Sequence, residues 1–279
     1  MTKRILITGG KGMLGTALLN ELSKYDYRVV VTDVDTMDIT KPTEVCKMFN
    51  QFKPEVVFHL AAYTNVDKAE LDTEAAYKLN VLGTANVVDC CKEYDSHLIY
   101  VSTDYVFGGD KTKKYTPKDE PCPLNVYGET KLAGEIHAKT TPKCSIARTS
   151  WLYGPNGKNF INTMIDLMKE VKQIRVVDDQ IGYPTYTLDL AKALVKLIDM
   201  PCKTYHICGG HRPTSWYELA LTISTFMAEN CKASVIPIHT KEYGQKARRP
   251  KFSAMKTDLE MPDWEDSLAE YMESIGELI

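Results

Sequence analysis

Residues 3–15 read Lys-Arg-Ile-Leu-Ile-Thr-Gly-Gly-Lys-Gly-Met-Leu-Gly, and residues 27–33 read Tyr-Arg-Val-Val-Val-Thr-Asp. The first stretch is a short apolar run, a turn with glycines at 9, 12 and 15, and the start of a segment whose apolar residues Met13, Ala17, Leu18 and Leu22 fall at helical spacing. The second is a β-branched run that ends on an acid. Strand, glycine turn, helix, strand and acid in that order predict the opening unit of a dinucleotide-binding sheet. Gly9, Gly12 and Gly15 let the backbone turn tightly and approach a pyrophosphate, whose charge the helix N-terminus at Met13 and Leu14 stabilises through unpaired N–H groups. Asp33 stands 18 residues after Gly15, where a carboxylate accepts hydrogen bonds from an adenosine ribose. Asp38 and Ile39, within Met37-Asp38-Ile39-Thr40, are expected to add contacts to the cofactor. The spacing is Gly-x-x-Gly-x-x-Gly rather than Gly-x-Gly-x-x-Gly, and no Gly-Lys-Ser/Thr closes a nucleotide-triphosphate loop. The competing reading is a ligand-free turn with a capping Asp33.

Outward from this unit the alternation continues. Apolar runs at 56–60, 97–102 and 144–148 are strand-sized, and helical patterns fill 42–52, 73–93 and about 127–139 between them. Such alternation requires parallel strands with crossover helices on both faces, an α/β, Rossmann-type doubly wound sheet. After Trp151 the pattern loosens, with helices expected near 161–171 and 215–228 and a tail at 258–278. The segment from about 186 to 208 returns to a helix and a short strand. We therefore expect a dinucleotide-binding domain of residues 1–150 with 186–208, and a smaller, discontinuous substrate-binding domain of residues 151–185 and 209–279.

The chain has 279 residues, 44% hydrophobic and 25% charged, ordinary globular usage. Its formal net charge is −3 and no basic run is longer than a pair such as Arg248-Arg249, so nucleic acid and anionic membrane are not expected partners. The eight cysteines form no C-x-x-C pair and no zinc-type cluster, and read as buried thiols of a reducing cytoplasm. The apolar N-terminal run is broken by Thr8 and the glycines before reaching signal-peptide length, and no window is apolar enough for a membrane span. His59 reads as a satisfied core imidazole, Trp216 and Trp264 as small-lobe core, and no metal site is assigned.

Chemistry concentrates in two further stretches. Tyr127 and Lys131 lie four apart at a predicted helix start, on one face, so the ammonium is expected to lower the phenol's pKa from near ~10 towards a value useful for proton transfer. Ser102-Thr103-Asp104-Tyr105 follows the fourth strand at its carboxyl end, where ligands bind in such sheets. A Tyr-x-x-x-Lys pair arises by chance on solvated helices; beside the glycine loop it becomes specific.

Together these stretches resemble the extended short-chain dehydrogenase/reductases. The blocks at 61–70 (Ala-Ala-Tyr-Thr-Asn-Val-Asp-Lys-Ala-Glu), 102–107, 123–135, 148–154 and 176–182, with Ser215-Trp216 and 249–253, are similar to the dTDP-4-dehydrorhamnose reductase branch of that family along nearly the whole chain. The resemblance implies reduction of the 4-keto group of dTDP-4-dehydro-β-L-rhamnose to dTDP-L-rhamnose by NADPH or NADH. Tyr127 would be the general acid, Lys131 its pKa-lowering partner and a ribose ligand, and Thr103 a hydrogen-bond donor to the reacting oxygen. Ala61, Ala62, Tyr63 and Ser102 would lie beside the cofactor; Val66, Asp104 and Trp151 would lie against the sugar nucleotide. A homodimer is compatible with it. Two departures stand out: Lys11 in the glycine loop, which bears on cofactor choice, and Gly108-Gly109-Asp110 in place of Asp-Gly. The alternatives are another sugar-nucleotide 4-ketoreductase or a non-catalytic NADP-binding subunit like the regulatory subunit of methionine adenosyltransferase. Dehydration is disfavoured, because Tyr105 stands where the related 4,6-dehydratases have Glu.

Overall fold

A computed structural model describes residues 2–278. Its centre is a six-stranded, wholly parallel sheet. Strands β1 (Lys3–Thr8), β2 (Tyr27–Thr32), β3 (Val56–His59), β4 (His97–Thr103) and β5 (Cys144–Thr149) are joined at one edge by the strand Thr204–His206, in the order β2, β1, β3, β4, β5, Thr204–His206. The chain reverses its direction of growth between β1 and β3, and a crevice opens outside the carboxyl ends of strands at such a switch point. Side chains alternate across β1. Ile5 and Ile7 pack with Leu14, Leu18, Leu190 and Leu194 on one face, and Leu6 packs with Val45, Phe49 and Val88 on the other.

Helix α1 (Met13–Leu22) and the helix Thr187–Lys196 cover the first face; α2 (Pro42–Phe52) and the helix Thr84–Glu93 cover the second. The helix expected over 73–93 is interrupted by a π-helical stretch, Lys78–Gly83. There Asn80, only 1% exposed, bonds both backbone polar groups of Tyr63 and donates to the Thr130 hydroxyl. Distorted helical turns of this kind re-aim side chains, and this one fixes the loop after β3.

A second core, with Met164, Ile165, Met168, Leu219, Ile223, Met227, Trp264, Leu268 and Tyr271, lies beside the sheet. It includes a parallel pair the sequence reading lacks, Gln173–Val177 with Ser234–Ile238. Of the eight cysteines, only Cys90, Cys91 and Cys208 are buried, while Cys46, Cys122 and Cys202 are exposed. The expectation of buried thiols throughout fails because Cys46, whose sulfur lies 3.5 Å from that of Cys90, sits at an exposed edge of α2, and the other two lie in exposed loops. His59 is 1% exposed, bonded to the Thr8 and Thr84 hydroxyls, and burial pushes its pKa down to about 3, so it is a neutral core imidazole. No helix among the described residues is long and apolar enough to cross a membrane.

Candidate active site

The carboxyl ends of β1, β3, β4 and β5 open into a cleft of about 810 Å³. The glycine turn forms one wall. Gly9 has φ +68°, and a Cβ there would fall 2.6 Å from the backbone nitrogen of Ala61, so only glycine lets the loops after β1 and β3 meet. Gly12 caps α1 without a side chain, and no acidic residue occupies the first helical turn. The leading N–H groups, at Met13, Leu14 and Gly15, are thus left facing the cleft with nothing to neutralise their partial positive charge. That cradle fits a pyrophosphate.

Of the residues singled out in sequence, Gly9, Lys11, Gly12, Met13, Leu14, Gly15, Asp33, Asp38, Ile39, Ala61, Ala62, Val66, Ser102, Thr103, Asp104, Tyr127, Lys131 and Trp151 line the cleft. Tyr63 does not; Asn80 ties its backbone behind the wall. Ser102 lines it but gives its hydroxyl hydrogen to Glu135 (2.6 Å), which also holds Arg148 through two bonds of 2.7 and 2.8 Å. Asp33 accepts from the backbone N–H groups of Lys11 (2.9 Å) and Val34 (2.8 Å), so its carboxylate first ties the two loops together. The Lys11 ammonium is held by Asp35 at 2.5 Å.

Tyr127 is set by its helix, Val126–Ala138. Asn125 caps it, accepting from the Gly128 N–H at 2.8 Å. Gly128 lets the first turn press onto the short 3₁₀ turn Asp104–Val106, because a Cβ there would lie 2.2 Å from the Tyr105 carbonyl oxygen. The Tyr127 ring meets Tyr105 edge to face at 5.9 Å. Burial pushes the Tyr127 phenol up to about 12; the nearby Thr103 hydroxyl favours its ionisation and Asp104 opposes it. The expected depression by Lys131 is therefore not what the geometry gives. Lys131 is 3% exposed, donates to the Val101 carbonyl at 2.7 Å and sits 4.2 Å above the Tyr100 ring. Its own burial lowers its pKa to about 7, against the support of Glu135. The Lys131 amine, turned to that carbonyl, is not among the groups that set the phenol's pKa.

The opposite wall was only half legible. Trp151, at φ +45° after β5, stacks on Trp216, with ring centroids 3.6 Å apart and planes 9° apart, and both line the cleft. Trp264 is core, as read from sequence; Trp216 is half-buried, packs against that same core and also lines the cleft. Residues 249–253, marked by the resemblance without a role, reach behind the cleft lining. Arg249 pairs with Asp67 at 2.8 Å, and Ser253 donates to Asp104 at 2.5 Å. Asp178, Asp179 and His239 bring three ligand-type atoms within 4.8 Å of one another, outside the cleft lining.

Residues 3–279 match the family described as RmlD substrate binding domain. The chain is 38% identical over 265 residues to a dTDP-4-dehydrorhamnose reductase of Aggregatibacter actinomycetemcomitans, covering 90% of each. It is 36% identical over 281 residues to the spore coat polysaccharide biosynthesis protein SpsK of Bacillus subtilis (strain 168), covering 98% of each. A crystal structure of dTDP-4-dehydrorhamnose reductase from Bacillus anthracis str. Ames in complex with NADP superposes with a TM-score of 0.94 at 39% identity, over 98% of this chain and 100% of that one. On a match that runs the length of its two cores, the chain belongs to the RmlD substrate binding domain family.

Proposed function

We propose that this protein is an NADPH-dependent oxidoreductase that reduces the 4-keto group of dTDP-4-dehydro-β-L-rhamnose to dTDP-L-rhamnose. The observation that carries this reading is the convergence of Thr103, Tyr127 and Lys131 with the glycine cradle in one cleft, in a chain so similar to reductases of that name. The nicotinamide cofactor supplies hydride when bound. The cradle residues Gly9, Gly12, Met13, Leu14 and Gly15 would hold its pyrophosphate, with Lys11, Asp33, Asp38 and Ile39 towards the adenosine and Ala61, Ala62 and Ser102 along its length.

Tyr127 gives its phenolic proton to the oxygen that becomes the alcohol. With burial raising its pKa to about 12, the phenol is protonated at neutral pH and carries the proton to be given. The Thr103 hydroxyl orients the same oxygen. Lys131, tied to the Val101 carbonyl, presents a short-range donor at the floor. Val66, Asp104 and Trp151 would contact the sugar nucleotide, in the part of the chain we assign to substrate binding (151–185 and 209–279) and at its junction with residues 1–150 and 186–208. The eight free thiols support a cytoplasmic location.

The test is direct. Purified protein mixed with NADPH and the 4-keto sugar nucleotide is expected to lose nicotinamide absorbance in step with formation of dTDP-L-rhamnose. Cofactor binding without turnover would instead favour the regulatory-subunit reading.

A further inference from the structure

The helix Thr84–Glu93 and its cap meet α2 and the residue run before it through three rungs spaced four apart, Asn86, Cys90 and Tyr94. The Asn86 amide donates to the Ile39 carbonyl at 2.9 Å, just ahead of α2. The Cys90 sulfur lies 3.5 Å from that of Cys46, in the second turn of α2. The Tyr94 ring stands 5.9 Å from that of Phe49, near the end of α2. Residues four apart share one helix face, so the outer rungs hold the two sulfurs opposite each other.

The two thiols differ in what reaches them. Cys46 is exposed, whereas Cys90 is 2% exposed. Burial first, then the Cys46 sulfur with Glu93 and Asp89, pushes the Cys90 thiol up to about 12, so it stays an S–H group beside its neighbour. Theirs is the only sulfur-to-sulfur hydrogen bond among the described residues. Cys231 turns to Ser224 and the Ala233 carbonyl, and Cys208 to the Met255 carbonyl. A disulfide holds its sulfurs about 2.05 Å apart, which leaves roughly 1.5 Å to close, a distance of the order that side-chain rotation covers. The pair also stands behind the cleft wall. Met37, Asp38 and Ile39 line the cleft, and Ile39 is backed by Asn86 and by Gly83, where a Cβ would fall 2.7 Å from the Ile39 Cδ1.

We propose that Cys46 and Cys90 are a reversible modification site, closed to a disulfide by a hydroperoxide, and that the bridge clamps the wall at Met37–Ile39 and slows cofactor release. The clamp rests on the reading of that wall as the adenosine side of a cofactor site; the disulfide does not. The Cys46 sulfur attacks the peroxide, an S–O bond forms as the O–O bond breaks, and the departing oxygen leaves as water with the thiol proton. Cys46 is then a sulfenic acid. The Cys90 sulfur attacks the Cys46 sulfur, an S–S bond forms as the S–O bond breaks, and the hydroxyl leaves as water with the Cys90 proton. Two thiols are oxidised by two electrons, and hydrogen peroxide is reduced to two waters. A dithiol reductant reopens the bridge by exchange, in keeping with the transient, redox-sensing disulfides of reducing compartments.

Reduced protein treated with hydrogen peroxide, then alkylated and digested, is expected to yield one cross-linked peptide pair holding Cys46 and Cys90. Thiols titrated after denaturation should fall by two from eight, and dithiothreitol should restore all eight. Cys90→Ala should leave Cys46 as a sulfenic acid that a 1,3-dione probe traps, and Cys46→Ser, at an exposed position, should form no link within the chain. Release of NADPH, followed by its fluorescence after rapid mixing with excess NADP, should be slower by more than about threefold in oxidised than in reduced wild type, with no such difference in Cys46→Ser. A link to any other cysteine, a link between chains, or Cys46 oxidised beyond the sulfenic acid with Cys90 still free overturns the site. A bridge that forms without slowing NADPH release overturns the clamp. Protein that binds no NADPH in either state overturns the cofactor reading of the cleft and the clamp with it, while the peptide map still decides the disulfide.

Discussion

Trp151 and Trp216 lie face to face across the junction of the two cores, 3.6 Å between ring centroids. Trp151 stands two residues beyond Thr149, where β5 ends, and Trp216 begins a helix of the small lobe, so the stack joins the lobes and walls the cleft at once. Phe160 backs Trp216 at 4.6 Å, and Gly182 leaves room for the Trp151 indole, which a Cβ there would approach to 2.6 Å. The backbone strain of Trp151, in a region disfavoured for large side chains, is tolerated where it aims an aromatic face into the site.

Trp216→Ala removes the ring that props Trp151 while leaving the glycine cradle untouched. Sugar-nucleotide affinity is expected to fall by about tenfold, or about 1.4 kcal/mol, with NADPH affinity changed less than about twofold. Trp151→Ala should do the same with a larger loss. Calorimetric titration of each ligand decides it: equal weakening of both ligands, or a lowered melting temperature with unchanged affinities, would make the stack a plug between lobes and nothing more.

Tyr127→Phe deletes one hydroxyl from a ring that stays packed against Tyr105. The expected result is a folded protein with unchanged NADPH affinity and a rate of hydride transfer lower by about 10²–10⁴, the usual worth of a positioned acid. Rapid mixing under single-turnover conditions measures this without interference from product release; a rate within a few-fold of wild type would remove the phenol from the chemistry.

Asp67 fastens segment 245–253 to the sheet domain. It accepts from Arg249, and from the backbone N–H groups of Lys246 (3.1 Å) and Ala247 (2.9 Å). Burial works against its ionisation, but the bonds from Arg249 and Ala247 outweigh it and hold the carboxyl below its usual 3.8. A group whose pKa is lower in the folded chain adds stability above its unfolded pKa and loses it as pH falls through the folded one. Its side chain is 40% exposed, which limits the contribution to about 1 kcal/mol. Asp67→Asn should therefore lower the melting temperature by about 2–4 °C at neutral pH, and the difference should shrink below about pH 4. A gap that persists unchanged at pH ~3 would show that the carboxylate charge is not what fastens the segment.

What the sequence made legible is what repeats locally. Alternating apolar runs set out five strands of the sheet, and the glycine turn, Thr103 and the Tyr127–Lys131 pair are short-range patterns that fell into one cleft. The contacts that shape their chemistry are long-range. Ser253 meets Asp104 across 149 positions and Arg249 meets Asp67 across 182, and neither pairing leaves a period or spacing to read. Trp216 packs against the small-lobe core as read, but its second role, walling the cleft beside Trp151, is visible only once its neighbours are known. The Tyr127–Lys131 spacing placed both groups on one face, but the Val101 carbonyl that captures the ammonium belongs to a different strand.

Cofactor choice turns on Lys11, and here the structure alters the balance read from sequence. Lys11 bears on cofactor choice and Asp33 lies where an adenosine ribose is expected; beside a ribose 2′-phosphate the one charge attracts and the other repels. In the fold, Asp33 binds the Lys11 and Val34 N–H groups, while the Lys11 ammonium is held away by Asp35. Asp35, not Asp33, is therefore the residue that restrains the lysine. Asp35→Asn should free Lys11 and raise the ratio of kcat/KM for NADPH over NADH by more than about twofold; Lys11→Ala should lower it. Asp33→Ala should weaken both cofactors, because the loop loses two ties. With Lys11 and Asp35 side chains 67% and 54% exposed, the Asp35→Asn effect should fade as added salt shortens the Debye length below about 10 Å. The decisive comparison is the double variant: if Asp35→Asn shifts the ratio as much in a Lys11→Ala background as in wild type, Asp35 acts on the cofactor by a route that does not pass through the lysine.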